Sequence, residues 1–348
     1  MNNTSLTPLS SLGEFGLIRR LTRRARLANP SSCKGVGDDA AVLDYNNGKK
    51  ILVSTDMLVE GIHFDLAYVP LKHLGYKAVA VNASDIHAMN GVPRQITLSI
   101  AVSSRFTVEA LDELYDGVHL ACERYDIDLV GGDTTTTRSG ACISITIIGE
   151  VAGEEIVYRD TARANDIICV SGDLGAAYAG LQLLEREKRV LDGQTLARPA
   201  FEGHDYILER QLKPEARGDV TRQLRQASIL PTAMIDISDG LSSELLHVCN
   251  GSRVGCRVYA EKIPVDPRAA RFLEEINIDP LTAALSGGED YELLFTIPLA
   301  AREAIAALPG ITMIGYITPP GDGCNIVARD GSLVEIKALG WTNFKSDD

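Results

Sequence analysis

LKHLGYKAVAVNASDIHAMN, residues 71–90, runs into a break at Gly91 and Pro93 and then into QITLSIAVS, residues 95–103. The first run predicts a helix that Gly91 and Pro93 stop. The second sets Ile96, Leu98, Ile100 and Val102 against Thr97, Ser99 and Ala101, the period of a half-buried strand. Inside the helix, Asp85 shares a stripe with Ala78, Asn82 and Met89. A charge on a half-apolar stripe costs free energy unless something pairs with it. A metal ion removes that cost, and so does a hydrogen bond from a neighbouring helix or loop.

The same chemistry recurs on either side. Seven aspartates fall in five short stretches: GVGDDAA from Gly35, STD from Ser54, NASD from Asn82, GGDT from Gly131 and DISDG from Asp236. Free carboxylates among small residues suit magnesium, which takes oxygen ligands and shares the phosphates of its substrate. Serine and threonine add neutral oxygens, and glycine lets backbone approach a phosphate. One such stretch is an ordinary solvated turn as readily as a ligand set; five in one chain point to a magnesium-phosphate site. Asp38 and Asp39 are adjacent, so one can bind metal while the other accepts hydrogen bonds. Asp236, Ser238 and Asp239 lie between a predicted strand and helix, where free N–H groups favour an anion. Asp239 fits a plain N-cap equally well.

Strands and helices alternate throughout. Helices are expected over 14–28 (Phe15, Ile18, Leu21 and Ala25 on one face), from a Thr107 cap to 125, and over 176–187, 204–211, 217–227 and 241–250. Strands are expected at 50–56, ending at STD, at 127–130, leading into Gly131, Gly132 and Asp133, and at 141–151, 167–171 and 233–237. Later strands fall at 256–260, 291–297, 312–317, 324–328 and 333–337. The chain divides into a flexible lead (1–12), a first domain (13–152) and a second (153–344), with 188–204 irregular and mobile.

Composition bounds the function. With 45% apolar and 23% charged residues, the 348-residue chain has an ordinary globular core. A net charge of −13 argues against a nucleic-acid or anionic-membrane partner. No apolar run approaches ~18 residues, and no signal peptide is expected from the polar start. The seven cysteines show no C-x-x-C and read as small buried hydrophobes in a reducing compartment, so a cytoplasmic protein is expected. There is no G-x-x-x-x-G-K-[ST] loop, no kinase H-R-D or D-F-G pair, and no Ser-His-Asp or Cys-His system, which leaves metal-run phosphate chemistry without a covalent nucleophile.

The motifs resemble thiamine-monophosphate kinase. Gly13-Glu14-Phe15, GVGDDAA, STDMLVEGIHF, KAVAVNASD, GGDT, DISDGL and SGGEDYELLF occur in that family's order, from Gly13 to Phe344. SGGEDYEL and EGxHF are the most specific. The acidic motifs are shared more widely with aminoimidazole ribonucleotide synthetase and selenophosphate synthetase, though Cys33-Lys34 lacks the glycine-rich loop of the latter. The resemblance implies an α+β / α/β two-domain fold, with a first domain that pairs across a homodimer and a C-terminal α/β domain. It implies transfer of the terminal phosphoryl group of ATP to thiamine monophosphate with several Mg2+ ions. Asp39, Ser54, Thr55, Asp56, Asp85, Asp133, Asp236 and Asp239 would hold metal. Gly132, Asp133, Arg159 and Ser238 would touch ATP; His63, Glu289 and Trp341 would touch thiamine monophosphate. Standing alone, His63 and Arg159 read as a surface histidine and a surface ion pair, and Trp341 as a packing residue.

Overall fold

Residues 11–46, 48–193 and 200–337 are described in the computed structural model. They form two β-sheets, and the helix predicted at 71–90 touches both. The first half contains α1 (Gly13–Thr22), β1 (Ser32–Lys34), β2 (Ala41–Asp44), β3 (Lys49–Val59), α2 (Leu71–Ala88), β4 (Val92–Val102), α3 (Val108–Tyr125), β5 (Asp128–Thr136) and β6 (Ala141–Ala152). Its strands form one sheet in the order β1-β2-β3-β6-β4-β5, antiparallel except where β4 meets β5.

The second half contains β7 (Ile167–Ser171), α4 (Ala176–Gly193), α5 (Asp205–Leu212), α6 (Gly218–Gln226), β8 (Ala233–Asp236), α7 (Leu241–Ser252) and β9 (Gly255–Tyr259). Then come α8 (Pro267–Glu275), α9 (Pro280–Ser286), β10 (Leu293–Ile297), α10 (Arg302–Ala306), β11 (Ile311–Thr318), β12 (Cys324–Val327) and β13 (Leu333–Glu335). Here the sheet order is β13-β12-β9-β11-β7-β10-β8. Strands and helices alternate along this half, yet only β12 and β9 pair in parallel. Together the two mixed sheets and their helices make an α+β two-domain fold.

α2 is the pivot. It packs on β3, β4 and β6, on α3, and on β8 of the second sheet. Burial extends round the helix, from Leu74, Val79 and Ile86 to Lys77, Asn82, Ser84 and His87. A helix so enclosed shows little amphipathic contrast, and each fully buried Leu, Val or Ile contributes about 1.5–3 kcal/mol. Glycines let α3 come close. A Cβ at Gly75 would lie 2.0 Å from the Leu114 carbonyl oxygen, and one at Gly117 only 1.9 Å from that of Lys72. Thr107 caps α3 as expected, accepting from the Ala110 N–H at 3.2 Å.

Several expectations change. α1 stops at Thr22 rather than 28 and buries nothing; Leu21 is 70% exposed. β3 runs past Asp56 to Val59, and β5 runs through Gly132 and Asp133, so these acids lie inside strands. The backbone pairing of β3 with β6 and of β5 with β4 continues across them, which propensity alone does not reveal. α4 continues to Gly193 in the segment expected to be irregular, and residues 194–199 lie outside those described. The N-cap of α7 is Gly240 at φ +109°, so Asp239 is free of capping duty. α8 and α9 are additional helices. Each starts at an Asp-Pro pair, with Asp266 and Asp279 accepting from the N–H groups of Arg268 and Thr282.

Candidate functional site

The acid cluster is assembled where α2 crosses the two sheets. Along β3, side chains alternate between faces. Ser54 and Asp56 register with the buried Ile147 and Ile145, on the side covered by α2. Ser54 Oγ donates to Asp85 Oδ2 at 2.5 Å. One residue back on α2, Ser84 Oγ donates to Asp236 Oδ2 at 2.6 Å, joining the helix to the end of β8. Asn82 Oδ1 accepts the Asp56 N–H at 3.2 Å, and its Nδ2 donates to the Ala78 carbonyl. Two serines and an asparagine thus orient the acids.

No cation of the chain offsets the centre of this cluster among the described contacts. Burial raises Asp85 well above the usual carboxylate range, and the charges of Asp56, Asp236 and Asp39 push it further. Burial, then Asp236 and Asp38, raises Asp39, which Arg159 only partly relieves from 3.8 Å. Burial takes Asp56 to about 6. Burial, opposed by the Ser84 hydrogen bond and reinforced by Asp56 and Asp239, takes Asp236 to about 7. Asp239 rises to about 6 through burial, Glu14 and Glu289. Asp39 Oδ2 is buried without a hydrogen-bond partner. Carboxylates that repel one another, with an orphaned oxygen and hydroxyls alongside, are the donor set of a hard divalent cation.

Asp56, Asp85, Asp236, Ser238 and Asp239 line a cleft of about 610 Å³. His63, Lys77, Gln211 and Glu289 line the same cleft. His63 Nδ1 accepts the Val59 N–H at 3.0 Å, and burial lowers the ring's pKa. Glu289 is held by Lys77 at 2.9 Å and by Gln211 Nε2 at 2.8 Å. Its backbone is left-handed (φ +58°), as is that of Tyr291 (φ +51°), a strained arrangement for residues with side chains. Backbone bonds to the DISDG loop fix it: Glu289 N–H to Ser238 O at 2.6 Å and Tyr291 N–H to Ile237 O at 2.9 Å.

The other acids of SGGEDYE serve the structure. Asp290 accepts the Gly175 and Ala177 N–H groups at the start of α4. Glu292, 1% exposed, receives Arg217 at 2.6 Å and Arg210 at 3.0 Å. They lock the loop that aims Glu289 at the cleft.

The remaining sequence candidates are placed differently. Thr55 faces away from α2; its hydroxyl donates to the Ile145 carbonyl at 2.9 Å. The same outer face of the sheet carries Asp133, in register with Ser99, on the exposed edge strand β5. Asp133 accepts the Thr134 N–H and stands apart from the buried acids. Gly132 packs directly on the Leu98 carbonyl, where a Cβ would lie at 1.9 Å. Arg159 Nε donates to the Gly37 carbonyl at 2.9 Å and so braces the Asp39 loop. Trp341 lies outside the described residues.

Sequence reading gave no site role to Ser84, Lys77 or Glu244, nor to the cleft-lining Glu14 and Phe15 of its Gly13-Glu14-Phe15 motif. Ser84 was visible inside NASD, and Lys77 was a lone charge in an apolar helical run. Glu244, 3% exposed, accepts the Asp239 N–H at 3.1 Å. Its only signal was its place one turn into the helix after DISDG.

Comparison with known proteins adds an independent line. Residues 37–151 match the sequence profile described as AIR synthase related protein, N-terminal domain. Thiamine-monophosphate kinase of Bacillus subtilis is 33% identical over 340 residues, covering 96% of this chain and all of the relative. That of Aquifex aeolicus is 36% identical over 336 residues, covering 97% and 99%. A solved structure, AaThiL complexed with AMPPCP and TMP, superposes with a TM-score of 0.82 at 33% identity, covering 98% of this chain and 100% of that one. Hydrogenase maturation protein HypE, at 21% identity and a TM-score of 0.67 over 91% and 96% of the two chains, shares the fold.

Proposed function

The chain belongs to the thiamine-monophosphate kinase family, and from that premise we propose that its acid-floored cleft is where ATP and thiamine monophosphate meet. The reaction is ATP-dependent phosphorylation of thiamine monophosphate, giving thiamine diphosphate and ADP. The observation that carries the assignment of the cleft is its cluster of mutually repelling acids. Asp236, buried, and Asp56, Asp85 and Asp239, half-buried, line it together with His63 and Glu289.

In this reading Asp39, Asp56, Asp85, Asp236 and Asp239 hold Mg2+, with Ser54 and Ser84 orienting the carboxylates. The chemistry that bound magnesium supplies is neutralisation and alignment of phosphate groups. Ser238, in the loop that leads into α7, receives phosphate oxygens near the helix N-terminus. His63 and Glu289 position thiamine monophosphate, and Lys77 and Gln211 keep Glu289 in place. The acceptor is already an ionised phosphate, so no side chain needs to act as a strong base. Transfer is direct and in line, and positioning two polyanions is the main task of the protein.

The proposal extends to a homodimer. Among the described residues β5 presents an unpaired, exposed edge, which proteins generally cover. Gly132 and Asp133 lie on that edge strand and Thr55 on the outer face of the same sheet, so their part in metal and nucleotide binding requires a second copy. Arg159 reaches ATP from its brace on the Asp39 loop. A cytoplasmic location goes with seven cysteines and an ATP-using reaction. No described helix is long and apolar enough to cross a membrane.

The test is turnover with ATP and Mg2+ on two acceptors. Thiamine monophosphate is expected to be converted and unphosphorylated thiamine to be inert. Equal phosphorylation of both would mean that the acid floor does not select an acceptor phosphate.

A further inference from the structure

Three cysteines far apart in sequence converge in the second half of the chain. Cys249 lies near the end of α7, Cys256 in β9, and Cys324 opens β12. Cys256 and Cys324 are register partners on neighbouring parallel strands. The three sulfur atoms lie within 4.8 Å of one another. Cys249 and Cys256 are fully buried, and Cys324 forms a half-buried mouth.

Among the described residues the group contains no fourth Cys, His, Asp or Glu donor. Three sulfurs at these separations close to the corners of a triangle around one ion with small side-chain rotations, since metal–sulfur bonds are about 2.3 Å long. Thiolates select soft cations, and a structural zinc site wants four ligands. Arg257 follows Cys256 and donates to the Cys256 and Gly323 carbonyls at 3.0 and 3.1 Å, which fixes a positive charge beside the group.

We propose that Cys249, Cys256 and Cys324 form a three-coordinate site for a soft monovalent cation, Cu+. Binding forms three Cu–S bonds as three thiol protons leave for solvent. Copper stays in the +1 state and no electron moves. The site is separate from the acid cleft. Cys249 stands roughly 12 Å along α7 from Leu241, beyond the DISDG loop. The strands that hold the other two cysteines are separated from β8 by β11, β7 and β10.

The experiment is an anaerobic titration of the reduced full-length protein with Cu+ against a competing chromophoric chelator. One equivalent should be retained per chain, with a near-ultraviolet sulfur-to-copper charge-transfer band and three sulfur neighbours by X-ray absorption. Cys324→Ser changes only the half-buried member and should weaken binding by about a hundredfold or more. Its copper-free kinase turnover should stay normal. Cys256→Ala serves as a second test, and Cys33→Ser, at an exposed position, should leave binding intact. Failure of the wild type to retain an equivalent overturns the site. So does full-affinity binding by both folded variants, Cys324→Ser and Cys256→Ala.

Discussion

Asp85, Glu292 and His247 show three ways a titratable side chain drawn into the interior, half-buried or fully buried, can be accommodated. Asp85 is left in repulsion with its neighbours, a cost that the proposed Mg2+ would offset. Glu292 is answered by two arginines, and a buried acid so paired is a structural part. His247 is kept neutral: burial, with Arg159 and Arg19 nearby, lowers it to about 4, and its ring meets Phe15 edge-on at 4.5 Å. That contact ties α1 to α7 beside the cleft. Because the folded chain favours the uncharged ring, its stabilisation is complete above pH 6.5 and drains away as pH falls toward about 4. The full shift would correspond to about 3 kcal/mol, and partial exposure reduces this to about 1 kcal/mol. His247→Phe keeps the aromatic contact without the titration. Urea unfolding from pH 7 to pH 4 should therefore show a shallower loss for the variant. Parallel curves would show that His247 contributes nothing. At this scale the sequence was informative where small residues flank an acid. Asp39, Asp56, Asp85, Asp236 and Asp239 gather as their motifs suggested. It was silent on Glu244, whose motif-free helical position says nothing of burial.

At the scale of elements, α2 carries the design. Its period and its Gly91 stop were plain in the sequence, because a long apolar helix is the strongest local signal. Its all-round burial was not, since that depends on α3 and the second sheet arriving from elsewhere in the chain. The ends of β3 and β5 were misplaced for the same reason: pairing with β6 and β4 extends them through STD and GGDT. The contact of α2 with α3 depends on glycine. Gly117→Ala would place a Cβ 1.9 Å from the Lys72 carbonyl, so the helices must part. A loss of about 1–3 kcal/mol is expected in urea unfolding. α3 supplies no cleft residue, so turnover of the folded variant should be close to wild type. Unchanged stability would mean that the crossing relaxes without cost.

For the whole molecule, the question is which residues belong to one chain and which to a pair. In the proposed site the clustered acids come from one chain, and Asp133 on the exposed β5 edge would join them only from a second copy. This makes the homodimer testable through function. Asp85→Asn and Asp133→Asn chains should each be inactive alone. Mixed, they should regain about a quarter of wild-type activity if subunits exchange at random, because half the sites of each heterodimer are then intact. No recovery in a verified heterodimer would place both residues in the same chain's site or remove Asp133 from it. The most direct test of the account is Asp85→Asn by itself, assayed at saturating Mg2+ with ATP and thiamine monophosphate alongside thermal unfolding of the metal-free protein. Removing one of the repelling charges should leave the fold intact and raise its melting temperature, while turnover falls by about a thousandfold. A folded variant with near-normal turnover would contradict the claim that the buried acids form the metal-phosphate site.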